Sequence, residues 1–228
     1  VATVRALKYH GGVALADLGL PNAEAVARGS ANMAKHIENL QSFGLPVVVA
    51  INAFAADTPE EQNAIRSAAA AYGVPAVLSE GWAQGGAGTA DLARAVVAAS
   101  KGPVQPKFTY ELTDPMEVKI RKIATQIYGA DDAVFAPAAK AAMKRMGEIG
   151  LGDLPVCMAK TQKSFSDDEK KIGRPSGFNV TVRGLEVSAG AGFVVPLLGD
   201  MLRMPGLPEV PSAEHMRIDG SGRIEGLS

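Results

Sequence analysis

Apolar positions in the first hundred residues fall into alternating strand-like and helix-like rhythms. Val1 to Leu7 has the pattern of a strand that closes at Lys8-Tyr9-His10-Gly11-Gly12. After Pro21-Asn22 a helix is predicted, because Val26, Met33, Ile37 and Leu40 stand seven, four and three residues apart on one face. It stops at Gly44, and Pro46 to Ile51 is a continuous apolar run, as in a strand covered on both sides. Thr58-Pro59-Glu60-Glu61 then forms a capping box with proline at the first helical position. The Thr58 hydroxyl can accept from the Glu61 amide while the Glu61 carboxylate reaches back to the amide of Thr58. This helix extends to about Tyr72, followed by a short strand at Val74 to Leu78, a glycine-rich turn, and an alanine-rich helix from Thr89 to Ser100. Strand and helix alternating three times predict a parallel sheet with crossover helices, an α/β architecture.

Gly102 to Pro106 marks a boundary, and the pattern changes beyond it. Met116, Ile120, Ile123 and Ile127 follow a four-three-four spacing, which predicts an amphipathic helix ending near Gly129. A second helix is expected from Pro137 to about Ile149, and a strand from Pro155 to Ala159. Phe178 to Arg183 alternates apolar and polar residues in the manner of a half-exposed strand. The turn Ser188-Ala189-Gly190-Ala191-Gly192 leads into the apolar run Phe193 to Leu198, as a hairpin or as two strands with a longer bend. Met204-Pro205-Gly206-Leu207-Pro208 holds too much proline for regular structure, and Asp219-Gly220-Ser221-Gly222 reads as a turn between two short edge strands. This second part is a smaller α+β unit.

The charge balance narrows the function. With 23 basic and 24 acidic side chains, the 228-residue chain lacks the basic excess of a nucleic-acid or anionic-membrane binder. Lys119, Arg121 and Lys122 read as the solvated face of a helix. The single cysteine, Cys157, excludes an internal disulfide and fits a reducing compartment, and its apolar neighbours suggest a small buried hydrophobe. No apolar run approaches the ~20 residues of a membrane span. A chain that opens in a strand pattern without an initiator methionine or a signal peptide reads as a fragment.

Loops at strand ends carry the candidate chemistry, since ligands of open α/β sheets sit beyond the carboxyl ends of the strands. Asn52-Ala53-Phe54-Ala55-Ala56-Asp57 follows one strand, and Glu80-Gly81-Trp82-Ala83-Gln84-Gly85-Gly86 follows the next. Aromatics are only 5% of the residues, so the lone tryptophan, Trp82, on a glycine-rich loop draws notice. A flat ring there suits stacking on a ligand, but residues alone leave loop packing equally open. Gly85-Gly86-Ala87-Gly88 reads as a turn, for it lacks the lysine and hydroxyl of G-x-x-x-x-G-K-[ST], a pattern found nowhere in the chain. His10, His36 and His215 show no metal-ligand spacing, and His36 reads as a structural histidine. Asp167-Asp168-Glu169 before two lysines reads as a solvated helix start. Lys160-Thr161-Gln162-Lys163-Ser164, after a strand, is a weak candidate for an anionic ligand. A dinucleotide-binding dehydrogenase is disfavoured, because no G-x-G-x-x-G follows the first strand.

A longer series of segments is more specific. Ala6-Leu7-Lys8-Tyr9-His10-Gly11-Gly12, Val47 to Phe54 with Asp57-Thr58, and Trp82-Ala83-Gln84-Gly85-Gly86 come in order, followed by Lys119 to Thr125 and Ile127-Tyr128-Gly129-Ala130. Ala159-Lys160-Thr161-Gln162, Gly173-Arg174-Pro175 and Met204-Pro205-Gly206-Leu207-Pro208 complete the series. Through them the chain resembles the C-terminal portion of formate–tetrahydrofolate ligase, an enzyme of one-carbon metabolism. The resemblance implies ATP-dependent joining of formate to tetrahydrofolate through formyl phosphate, giving 10-formyltetrahydrofolate, with ATP and magnesium used by the full-length enzyme and no covalently bound cofactor. It implies that Phe54 and Trp82 stack on the folate pteridine, and that Leu78 and the loop of Arg174, Pro175 and Ser176 border the nucleotide. It assigns this chain no catalytic residue and no metal ligand. The implied organisation is the end of a P-loop nucleotide-binding domain (1–30), a Rossmann-like folate-binding domain (31–104) and an α+β C-terminal domain (105–228). The implied partners are tetrahydrofolate, formate, ATP, the missing N-terminal portion of the same protein and further copies in a homo-oligomer, without nucleic acid or membrane, in the cytoplasm. Without the P-loop, the chain alone is expected to be inactive. The alternative is a non-catalytic oligomerisation or partner-binding module.

Overall fold

The computed structural model describes residues 1–199, 209–222 and 224–226. The opening segment departs from the strand expected of it. The Thr3 hydroxyl accepts from the Ala6 amide at 3.1 Å and starts a helix, α1 (Val4–His10). Val4, Leu7 and Lys8, at helical spacing, are its buried residues. Only Ala2 pairs as a strand. It forms a parallel bridge with Ile51, donating to the Ala50 carbonyl at 2.8 Å and accepting from the Asn52 amide at 2.9 Å.

Helix α2 (Ala23–Ser42) begins where the Asn22 side chain accepts from the Ala25 amide. It crosses α1 backbone against backbone. A Cβ on Gly29 would stand 1.8 Å from the Leu7 carbonyl oxygen, and one on Gly11 would stand 2.0 Å from that of Ala25. Strand β1 (Val49–Asn52), helix α3 (Pro59–Ala70) and strand β2 (Ala76–Ser79) follow, and both halves of the Thr58–Glu61 capping box are formed. β1 and β2 pair in parallel, with Asn52 opposite Ser79. Val4, Leu7, Val26, Ile37, Ile51 and Ile65 share one core, so residues before and after position 30 pack together. Two further helices, α4 (Gly81–Gln84) and α5 (Ala90–Ala99), close this part.

A second core gathers α6 (Met116–Lys122), β3 (Asp132–Phe135), α7 (Pro137–Glu148), β4 (Asn179–Ser188) and β5 (Phe193–Leu198). β3 pairs in parallel with β4, and β4 forms a hairpin with β5, which settles the hairpin alternative left by the sequence. β3 is absent from the pattern reading, because Asp131-Asp132 masks a four-residue strand. The strand expected at Pro155 to Ala159 makes only two bridges, Val156 to Val194 and Ala159 to Leu197. A final pair, β6 (Arg217–Ile218) and β7 (Ile224–Glu225), flanks the expected turn. The Met204–Pro208 segment lies outside the described residues.

Two side-chain expectations are overturned. Lys119 is fully buried, with its ammonium donating to the Gly152 and Leu154 carbonyls at 3.0 and 3.1 Å, because the loop before Pro155 covers that face of α6. Arg121 and Lys122 remain near solvent and pair with Glu117, Asp132 and Asp114. Cys157 is exposed rather than buried, its apolar neighbours notwithstanding. Among the described residues, no helix is long and apolar enough to cross a membrane.

Candidate functional site

Parallel pairing of β1 with β2 sets the two aromatic loops beside each other at the carboxyl ends of adjacent strands. Ala53, one residue past β1, donates to the Ser79 carbonyl at 3.0 Å. The next residue, Phe54, donates its amide to the Asp57 carboxylate at 2.9 Å, and the Asp57 amide returns a bond to the Phe54 carbonyl at 3.0 Å. This short closed turn fixes the Phe54 backbone while leaving its side chain 44% exposed. Trp82 stands on the single turn of α4 and is 74% exposed. Glycine geometry builds that loop: Gly85 has φ +58°, and a Cβ on Gly88 would lie 2.6 Å from the Glu80 carbonyl oxygen. The Glu80 amide donates to the Gly88 carbonyl at 2.9 Å, which pins the two ends together. Two large rings are thus held outward on fixed backbone, without being drawn into a core.

The proposed nucleotide-bordering residues have other partners. Leu78, on β2, lies opposite Ile51 and packs against the first core. Arg174 forms a two-pronged pair with Glu38 of α2, both bonds 2.7 Å long. That guanidinium, with its hydrogen bonds leading, holds the Glu38 carboxyl below its usual range. The adjacent Gly173 has φ +74° and is gripped from two sides. Its amide donates to His10 Nδ1 at 3.0 Å, and its carbonyl accepts from Asn32 Nδ2 at 2.8 Å. Pro175 is half-buried and Ser176 exposed. The loop is therefore docked on α1 and α2.

A second constellation was barely legible. His10, His36 and Lys160, distant in sequence, line one cavity of about 260 Å³ together with Tyr128, Thr161 and Phe165. The Lys160 ammonium donates to the carbonyls of Thr161, at 2.7 Å, and Ser164, and lies 5.1 Å from the centre of the Tyr128 ring. Burial lowers its pKa from 10.5 to about 8, against an opposing pull from Asp167. Burial likewise raises the Tyr128 phenol to about 12. His36 packs against Phe165 at 4.6 Å between ring centres, and its pKa is lowered by burial and then by His10 and Lys160. A turn of wider π-helix, Ile123–Tyr128, frames one wall. The sequence signal for it is faint: a lysine after a strand, and histidines that only folding joins.

The model of the formate–tetrahydrofolate ligase family matches residues 1–228. The chain belongs to that family. It is 48% identical over 228 residues to a formate–tetrahydrofolate ligase of Limosilactobacillus reuteri subsp. reuteri (strain JCM 1112), covering all of this chain and 41% of that relative. The chain thus spans less than half the length of that relative. Within that span, its geometry offers two exposed aromatic rings, Phe54 and Trp82, and a donor-lined cavity. The phosphate-binding sequence G-x-x-x-x-G-K-[ST] is not in the chain, and no cluster of three or more metal-ligating side chains forms among the described residues.

Proposed function

We propose that this chain supplies the tetrahydrofolate-binding side of a formate–tetrahydrofolate ligase, with the pteridine stacked between Phe54 and Trp82. The exposure of both rings on backbone fixed by hydrogen bonds carries this reading. Two exposed rings on neighbouring strand-end loops offer flat apolar faces on which a heterocycle can stack. The family is the second support. In the longer protein, ATP would activate formate as formyl phosphate, and the folate amine would attack it to give 10-formyltetrahydrofolate, ADP and phosphate. These residues would hold and orient the acceptor. The triphosphate would need a cradle of the kind G-x-x-x-x-G-K-[ST] supplies, a sequence this chain does not contain. The chain alone is therefore expected to make no ADP from formate and folate.

Leu78 and the Arg174–Ser176 loop would border the nucleotide, the loop kept in place by the Glu38 pair. The residues up to 30 would close the nucleotide-binding domain, 31–104 would form the folate domain and 105–228 the α+β domain. A cytoplasmic homo-oligomer is the setting this reading implies. Val96 and Val97 of α5, 51% and 56% exposed, favour a contact surface and so a self-association role instead.

Titration with tetrahydrofolate while following Trp82 emission tests the folate reading, since the chain has one tryptophan. Saturable quenching that Phe54→Ala abolishes is the expected result. Quenching unchanged by Phe54→Ala would refute stacking between the two rings. Stable self-association by sedimentation, indifferent to folate, would favour the second reading.

A further inference from the structure

We propose that the cavity between α2 and the Lys160–Phe165 loop binds a small oxyanion, held by Lys160, His10 and His36. Hydrogen-bond donors dominate its wall, and none of its lining residues is an Asp or Glu. Among the described residues, no carboxylate pairs with Lys160. Two of its three ammonium protons go to the Thr161 and Ser164 carbonyls, which fixes the head group and leaves one proton free. His10 accepts from the Gly173 amide at Nδ1, so its neutral ring carries the proton on Nε2. The His36 ring is held against Phe165 and has no hydrogen-bond partner among the described residues. Thr161 Oγ1 accepts from the Lys163 amide at 3.3 Å, which leaves its hydroxyl proton available.

The site is built rather than incidental. Helix α2 contributes His36 and, from the same turns, Lys35 and Asn39. The Lys35 ammonium donates to the Gln126 carbonyl at 2.7 Å, and Asn39 Nδ2 donates to that of Ile127 at 2.9 Å. Those carbonyls belong to the π-helical turn, whose widened backbone carries Tyr128 into the wall. His10 is fixed by the Gly173 loop, and that loop by Asn32. Three cationic or donor groups are therefore brought together from segments far apart in the chain, and His36 has its pKa lowered first by burial and then by the neighbouring charges, His10 and Lys160 among them. An anion relieves the repulsion among those charges and restores full charge to Lys160. A cavity of about 260 Å³ has room for a phosphate or a small carboxylate. None of its lining residues comes from the Phe54 or Trp82 loops, so failure of the folate reading leaves this proposal standing.

The test is ring NMR of the three histidines during titration with inorganic phosphate and, separately, with formate. Saturable shifts of His10 and His36 together, with His215 unmoved, are expected in the unaltered protein. Lys160→Met should weaken binding by about ten-fold or more, as loss of a charge-assisted bond does. Lys160→Arg should retain binding, and Lys170→Met, on an exposed turn, should not alter it. Tighter binding of phosphate than of formate would assign a phosphoryl source, and the reverse order a carboxylate. Absence of saturable shifts at millimolar concentration, or equal movement of His215, would overturn the proposal. So would shifts that persist unchanged in folded Lys160→Met.

Discussion

Lys8 and Glu61 meet 3.0 Å apart with both side chains almost wholly buried, and the contact ties α1 to α3. The same carboxylate accepts from the Asn22 amide at 2.8 Å and from the Thr58 amide at 2.9 Å, so it caps α3 and also anchors the start of α2. Lys8 donates in addition to the Leu20 carbonyl at 3.0 Å. Such a fully bonded pair makes removal of one member far worse than its net worth, because the survivor stays charged and dry. Lys8→Met and Glu61→Gln are each expected to destabilise the fold by about 3–5 kcal/mol. Guanidinium unfolding measures this, and a change within ~1 kcal/mol would show that the pair is solvated.

Acid should reveal the same carboxylate. Burial pushes the Glu61 pKa up, but the Thr58 and Asn22 amides and Lys8 together outweigh it and leave the pKa lowered. Its stabilising effect is then fully present above the ordinary carboxyl range and is lost as pH falls through the lowered value. Unfolding midpoints followed into acid should fall less steeply in Glu61→Gln than in the parent. Parallel curves would exclude Glu61 as a source of acid sensitivity.

Much of this architecture was legible because local chemistry and global fold agree. The Thr58–Glu61 box, the α2 face of Val26, Met33 and Ile37, and the alternation after Phe178 each have a physical cause within a few residues, whereas Leu40, which spacing places on that same face, is 43% exposed. What was illegible depends on partners far along the chain. Val1 to Leu7 has strand-like composition, yet Thr3 caps a helix and Leu7 is buried against α2. Lys119 looks solvated until the loop before Pro155 covers it. Loop position and the scarcity of aromatics draw notice to Phe54 and Trp82 but leave packing and stacking equally open, and only the family resemblance implies stacking, whereas the cavity requires His10, His36 and Lys160 to be joined by folding. Glu61 was recognised as a cap, but its burial against Lys8 was not.

Gly29 offers a sign test. Glycine to alanine inside a helix ordinarily stabilises by about 0.5–1 kcal/mol. At Gly29 the added carbon would meet the Leu7 backbone at 1.8 Å, and backbone cannot rotate away. Gly29→Ala should therefore destabilise by about 1–3 kcal/mol or more, through separation of α1 from α2. Gly147→Ala, in α7 with nothing within 4 Å of the new carbon, should keep the ordinary sign. Thermal unfolding of the two variants beside the parent checks this. Stabilisation by both would mean that the helices do not cross so closely.

Phe54→Ala and Trp82→Ala should separate binding from stability. Both side chains are substantially exposed, so their removal is expected to change unfolding free energy by only about 0.5 kcal/mol. Folate binding, measured by calorimetry because Trp82→Ala has no indole to report, should weaken strongly in both. A large loss of stability in either variant would show that the ring is packing rather than waiting for a ligand.

Alkaline titration should show two opposed limbs. Lys160 has an ordinary pKa of 10.5 and a folded value of about 8, lowered by burial. Between those values the unfolded chain binds more protons than the native state, so stability rises with pH there. Lys119 and Lys35, also lowered by burial, act in the same direction. Tyr128 is the reverse case. Burial raises it from 10.0 to about 12, so the native state keeps its proton longer, and stability falls as pH climbs through that interval. Lys160→Met should flatten the rising limb and Tyr128→Phe the falling one, each read as the difference in urea midpoint from the parent across the range. Phosphate, if bound beside Lys160, should raise its folded value and shift the rising limb to higher pH. A rising limb that survives Lys160→Met intact would place its origin in the other buried lysines.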